Sequence, residues 1–164
     1  MGPLRMNVSP TTASAANRYT NLGVSLYDLG NVREAVACFK KAIEIKPASS
    51  EALYCLGDAL LSEDQKTEAI SCFQLAIEID PKYTRALNKL GVALEKQGKT
   101  ELAVLCFRKA LNIEGEVPEI HCNLGNALNT LGKEEEAVAC FYQALNIEPG
   151  CTEARIQLNN YRNN

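Results

Sequence analysis

Residues 21–47 read NLGVSLYDLGNVREAVACFKKAIEIKP, and the chain writes this frame four times. Leu22-Gly23 returns as Leu56-Gly57, Leu90-Gly91 and Leu124-Gly125, each pair 34 residues after the one before. Ala35, Ala69, Ala103 and Ala137 keep the same interval, as do Phe39, Phe73, Phe107 and Phe141, and then Ala42, Ala76, Ala110 and Ala144. A fixed internal period of this length marks a repeat architecture, and it decides the fold before any local propensity does.

Inside the first copy, Tyr19, Leu22, Leu26 and Leu29 recur at steps of three and four residues, the signature of one apolar helix face. Gly30-Asn31 ends that helix, because the position just past a helix end favours a positive φ. Ala35, Val36, Phe39, Ala42, Ile43 and Ile45 give the buried stripe of a second helix. Lys46-Pro47 stops it, since proline cannot continue the backbone ladder. The unit is helix, tight turn, helix, loop.

The copies run over residues 16–49, 50–83, 84–117 and 118–151. Asp64 stands where the first copy has Gly30, and aspartate enters the left-handed region at modest cost, so the turn is expected to survive. The third copy lacks the proline of Pro47 and Pro81. There Gly115 is expected to cap the outgoing helix while Pro118 opens the next. A last helix is expected over 152–162, with Thr152 as its N-cap and Ala154, Leu158 and Tyr161 on one face. Glu153, Arg155, Gln157, Asn159, Asn160 and Arg162 are polar, which suits the end of a stack. Residues 1–14 carry no periodicity and read as a tail, with Met1-Gly2-Pro3 resembling a cloning remnant. The first helix is expected to start near Thr12, leaving 15–162 as a single repeat domain.

The chain has 164 residues, 46% hydrophobic and 23% charged, within the globular range. A net charge of −3 supplies no overall basic field for nucleic acid or an anionic membrane. No apolar run approaches the ~20 residues of a membrane span. Seven cysteines are present. Cys38, Cys72, Cys106 and Cys140 share one point of the frame. Equivalent helices in a stack stand about 8–10 Å apart, too far for disulfide geometry. All seven read as reduced thiols, which points to a reducing, cytoplasmic compartment.

The period of 34, the Leu-Gly pair, and the Ala, Phe, Ala and Pro at fixed later positions resemble the tetratricopeptide repeat. The resemblance spans residues 16–151 in four copies, with a partial fifth. Its departures are small: the bulky aromatic early in the first helix is Tyr19, Leu53, Leu87 and His121, and Gly115 replaces a proline. It implies an all-α fold, an α-solenoid of antiparallel helix pairs stacked into a right-handed superhelix. It also implies a non-catalytic interaction module that takes a peptide or partner protein in a concave groove lined by first-helix side chains. No cofactor is implied.

Carried onto this chain, the groove candidates are Asn17 and Asn21 in repeat one and Tyr54 and Asp58 in repeat two. Arg85, Asn88 and Lys89 follow in repeat three, and Asn123 and Asn126 in repeat four. Asn21 and Asn123 occupy the same repeat position, where an amide can both donate to and accept from a peptide backbone. Lys89 holds that position in repeat three and, with Arg85, suits an acidic ligand side chain. Thr20 and Val24 stand where family members that grip a C-terminal carboxylate carry Lys and Asn, which disfavours that mode. The small residues of the frame are expected to let helix backbones approach, and the Leu-Gly pair to be buried and functionally silent.

Charge alternates along the repeats. Repeat one holds five basic and three acidic residues, repeat two holds two and seven, repeat three six and four, repeat four one and five. Aid to stacking or solubility is the favoured explanation, ahead of setting ligand register.

Gly98-Lys99-Thr100 mimics the end of a phosphate loop, but Ala93 sits where the motif needs glycine and no strand precedes it. His121, the only histidine, lacks the constellation of a ligand set or a catalytic base. It reads as a packing residue between repeats. Two further functions compete with the adaptor reading. One is a self-assembling scaffold, motivated by the incomplete fifth repeat. The other is the targeting arm of a larger enzyme or receptor, motivated by the chain's abrupt ends.

Overall fold

The computed structural model describes residues 10–162. The readings of Met1-Gly2-Pro3 as a cloning remnant and of Asn163-Asn164 as an abrupt end lie outside the described residues. Within them the chain is all helical: α1 (Pro10–Asp28), α2 (Val32–Ile45), α3 (Ser50–Ser62), α4 (Lys66–Ile79), α5 (Thr84–Lys96), α6 (Thr100–Ile113), α7 (Pro118–Thr130), α8 (Glu134–Ile147) and α9 (Thr152–Arg162). No strand occurs among the described residues. Helix α1 opens at Pro10 rather than Thr12; proline suits a first turn because the N–H it lacks has no intrahelical partner there.

Contacts divide the chain into two units, one ending at Pro81 and the other starting at Lys82. The boundary falls at the proline that closes the second copy of the frame. In the first unit α1 packs on α2, α3 packs on α4, and α3 also rests on α1 and α2. In the second, α5 pairs with α6 and α7 with α8, α7 packs on α6 and α5, and α9 covers α8.

Each pair turns on the same hydrogen bonds. Gly30 N–H donates to the Tyr27 carbonyl at 2.9 Å and Asn31 N–H to the Leu26 carbonyl at 2.8 Å. This is the Schellman arrangement, which satisfies carbonyls left open at a helix end. Asp64 and Gln65 repeat it on Leu61 and Leu60 at 3.2 and 2.9 Å. Gly30 has φ +80° and Asp64 φ +60°, so aspartate does adopt the left-handed conformation the turn requires. Gly98-Lys99-Thr100 is the corresponding turn between α5 and α6, with Lys99 N–H on the Leu94 carbonyl at 2.9 Å.

The loop ends bring two corrections. Gly115 does not cap α6: that position belongs to Glu114, and the Gly115 carbonyl instead lies 2.9 Å from His121 Nε2. Pro118 does open α7. Thr152 is the first residue of α9 rather than its cap, its hydroxyl donating to the Gly150 carbonyl at 3.4 Å. The Cys151 carbonyl takes the first bond of that helix, from Arg155 N–H at 3.3 Å.

The core is the repeated column itself. Phe39, Phe73, Phe107 and Phe141 are fully buried, and so are the eight frame alanines that flank them. Burying one phenylalanine contributes about 1.5–3 kcal/mol, so each ring is a main anchor of its own helix pair, alongside buried leucines such as Leu53, Leu60, Leu87 and Leu128. The glycines explain the close approach differently from the expectation. A Cβ placed on Gly23, Gly57, Gly91 or Gly125 would lie 2.4–2.7 Å from a ring carbon of the phenylalanine in its own pair. What the glycine admits is a ring, not a neighbouring backbone.

Candidate functional site

First helices present the side chains that the repeat frame does not consume, and in the second unit three of them are bonded into a chain. Asn123 Nδ2 donates to Asn88 Oδ1 at 2.9 Å, and Asn88 Nδ2 donates to Glu119 Oε1 at 2.9 Å. Asn126 Nδ2 donates to Glu153 Oε1 at 2.7 Å. These bonds run from α5 to α7 and from α7 to α9, so they tie successive first helices along one face. A bond to a carboxylate is stronger than a neutral one, which fixes the amide orientation as well as the contact.

The geometry sorts the candidates. Asn88 is 5% exposed and uses its carbonyl and one N–H inside the chain of bonds. It is an organiser of its neighbours rather than a surface contact. Asn123 and Asn126 are half-buried. Each uses one N–H in these bonds, and an amide retains a second N–H and two carbonyl lone pairs beyond that. Lys89 is half-buried and Arg85 exposed on the same helix, α5. In the first unit Asn17 and Asn21 are exposed on α1, and Asp58 is half-buried on α3. Tyr54 is 6% exposed, its ring 6.1 Å from that of Phe73 and tilted by 49°. That places it in the core of its repeat rather than on the groove. Thr20 is also buried, donating to the Ala16 carbonyl of its own helix at 3.1 Å.

Glu119 is a polar first-helix residue that the sequence already offers for the groove, whereas Glu153, its counterpart on α9, is a partner that sequence reasoning did not assign. They stand 34 residues apart, at the same repeat position, and that recurrence was the available signal. Glu95 belongs to the same set of first-helix residues, and burial pushes its carboxyl above the usual carboxylate range.

Away from this face, opposite charges on neighbouring repeats meet. Arg108 of repeat three lies 2.7 Å from Glu136 of repeat four, both about half exposed. An exposed pair of this kind contributes at most about 1 kcal/mol. It supports stacking as the use of the alternating charge. A cavity of about 400 Å³ is lined by Asn129, Glu134, Gln157, Asn160 and Tyr161 at the end of the second unit. The Tyr161 hydroxyl is buried without a hydrogen-bond partner. Among the described residues no group of three His, Cys, Asp or Glu could hold a metal. No described helix is long and apolar enough to cross a membrane.

Comparison with known families matches a model described as TPR repeat to residues 23–64, 57–98 and 96–132, and one described as Tetratricopeptide repeat to residues 118–151. The chain belongs to the tetratricopeptide repeat family. Among solved structures, a crystal structure of MamA is similar, with 30% identity over 82% of this chain and 78% of that one, at a TM-score of 0.77. MamA from Desulfovibrio magneticus RS-1 shares 23% identity over 84% and 77%, at 0.76. Pseudomonas aeruginosa PilF shares 24% over 93% and 72%, at 0.83, and these last two speak to the α-solenoid fold alone. No curated protein matches the chain.

Proposed function

We propose that this tetratricopeptide repeat protein is a non-catalytic protein–protein interaction module that takes an extended peptide along its first-helix faces. The observation that carries this reading is the bonded set Asn123, Asn88, Glu119. Its amides are held in fixed orientation on successive helices while Asn123 keeps donor and acceptor capacity. A peptide backbone asks for that alternation of donor and acceptor, whatever its side chains. Lys89 and Arg85 add a preference for an acidic side chain nearby. Such a module works in a reducing, cytoplasmic setting, where seven thiols persist.

The test is capture of partners by the wild-type chain and by the Asn21→Ala, Lys89→Ala, Asn123→Ala triple variant, with helicity followed by circular dichroism. The expected result is undiminished helicity and loss of the partners that the wild type retains. A fully helical variant that keeps every partner overturns the groove assignment.

A second reading, a self-assembling scaffold, rests on a separate observation. Tyr19 and Leu22 of α1 are 37% and 50% exposed, and Leu29, in the turn just after it, is 76% exposed. Light scattering across a concentration range tests it, with Leu22→Lys as the control that should reduce association. A strict monomer at high concentration overturns it.

A further inference from the structure

Cys122 and Cys151 do not share the frame position of the other repeated cysteines, yet their Sγ atoms lie 3.5 Å apart. Cys122 sits on α7 and is 1% exposed; Cys151 is half-buried at the amino end of α9. A disulfide needs about 2.05 Å between the sulfurs, so an approach of about 1.5 Å closes the gap, within the reach of side-chain rotation and a small loop movement. We propose that these two residues form a dithiol modification site, closed to an intramolecular disulfide by a low-molecular-weight disulfide of the glutathione class.

The two thiols have different roles in that exchange. The thiolate is the nucleophile in thiol–disulfide chemistry, and access decides which thiol meets a dissolved oxidant. Cys151, the more exposed, attacks one sulfur of the small disulfide. The S–S bond of the oxidant breaks and the first small thiolate leaves to take up a proton. Cys122 then loses its proton and attacks the Cys151 sulfur of the mixed disulfide, expelling the second small thiolate. Two protein thiols lose two electrons and two protons, and one small disulfide becomes two small thiols.

Burial pushes the Cys122 thiol up to about 12, with its hydrogen bond with Cys151 and the charges of Cys151 and Glu153 adding to the rise. Its burial closes Cys122 to bulk oxidant, while the Cys151 sulfur lies beside it.

The bond would join α7 to the junction of α8 and α9. Two polar contacts already hold α9 there: Asn126 on Glu153 at 2.7 Å, and Arg155 Nη2 on the Pro149 carbonyl at 2.7 Å. A covalent link next to Glu153 ties α9 to α7, so that local opening of one helix has to carry the other with it. Transient disulfides are the usual kind in a reducing compartment, and this one would report redox state as the docking of α9.

The experiment treats the reduced, folded protein with glutathione disulfide, alkylates the remaining thiols and maps the peptides by mass spectrometry. The expected product links Cys122 to Cys151. Amide exchange in 152–162 slows about tenfold or more, and the thermal midpoint rises, both reversed by dithiothreitol. Cys122→Ser is expected to stop at the glutathione adduct on Cys151, and Cys151→Ser to leave Cys122 as a thiol. Wild-type protein that stops at that adduct, that pairs Cys151 with another cysteine, or that links the two with no change in α9 exchange overturns the proposal. If Cys122→Ser is unfolded, Cys151→Ser decides alone, and reaction at Cys122 in that variant counts against it.

Discussion

Leu22-Gly23 and Leu56-Gly57 are the same two residues at the same phase of the same frame, yet only half of each pair behaves alike. Both glycines are buried, and an added Cβ would meet the ring of Phe39 at 2.5 Å in one case and of Phe73 at 2.7 Å in the other. The leucines part company: Leu22 is 50% exposed and Leu56 7%. In α3, Leu53, Leu56 and Leu60 are covered because α1 and α2 lie against them. No described helix precedes α1, and the matching Tyr19, Leu22 and Leu26 lie open or half-open. The glycine answers to its own pair, and the leucine answers to the pair before.

The largest effects should ignore the difference between the two repeats. Phe39→Ala and Phe73→Ala should each cost about 3–5 kcal/mol, and chemical denaturation of the two variants should give matching losses. The leucines should then separate them. Leu56→Ala is expected to cost about 2–5 kcal/mol, and Leu22→Ala no more than about 1 kcal/mol, as for a surface site. Equal losses at the two leucines would break the comparison. Next come the glycines. Gly23→Ala and Gly57→Ala should each cost about 1–3 kcal/mol by overpacking a ring that cannot move aside, and melting curves should again match.

A smaller effect belongs to repeat two alone. The Ser49 hydroxyl caps α3 by accepting from Ala52 N–H at 3.3 Å, so Ser49→Ala should cost about 1 kcal/mol. The smallest carries the comparison into the second unit. Glu95 stands at the phase of Leu61, which is 6% exposed, and burial at that position raises its carboxyl. A raised acid binds its proton more readily in the folded state than in the unfolded one. Its favourable contribution is present below the unfolded value and lost as pH rises through the folded one. Glu95→Gln should therefore raise the melting temperature slightly at pH 7 and leave it unchanged near pH 4.

The period made the helix pairs and their turns legible, because each is set by residues within one copy. Asp64 was readable as a turn residue for that reason. What the period could not show is anything that breaks it. Leu22 carries the frame letter, but no described helix covers it as α1 and α2 cover α3, so its exposure depends on position rather than on the residue. Tyr54 shows the converse: its repeat position marks it for the groove, and its ring packs on Phe73 instead. Asn88, Asn123 and Glu119 were each visible as polar first-helix residues, but bonds across 31 and 35 residues do not follow a 34-residue rule. Cys122 and Cys151 escaped for the same reason. They meet between unlike positions at the two ends of the fourth copy, with all of α8 between them in the chain.

The contact between each frame glycine and its own phenylalanine has a consequence for how such a chain changes length. A copy duplicated or deleted as a block of 34 carries both halves of that contact with it, so its internal fit survives the event. The leucine travels too, but whichever copy becomes first in the stack leaves it bare. In a nearest-neighbour description of the array, ring and glycine belong to the intrinsic stability of a repeat and leucine to the coupling between repeats. Gain or loss of whole copies should thus leave the pair geometry untouched, while the apolar face at the start of the array is renewed each time.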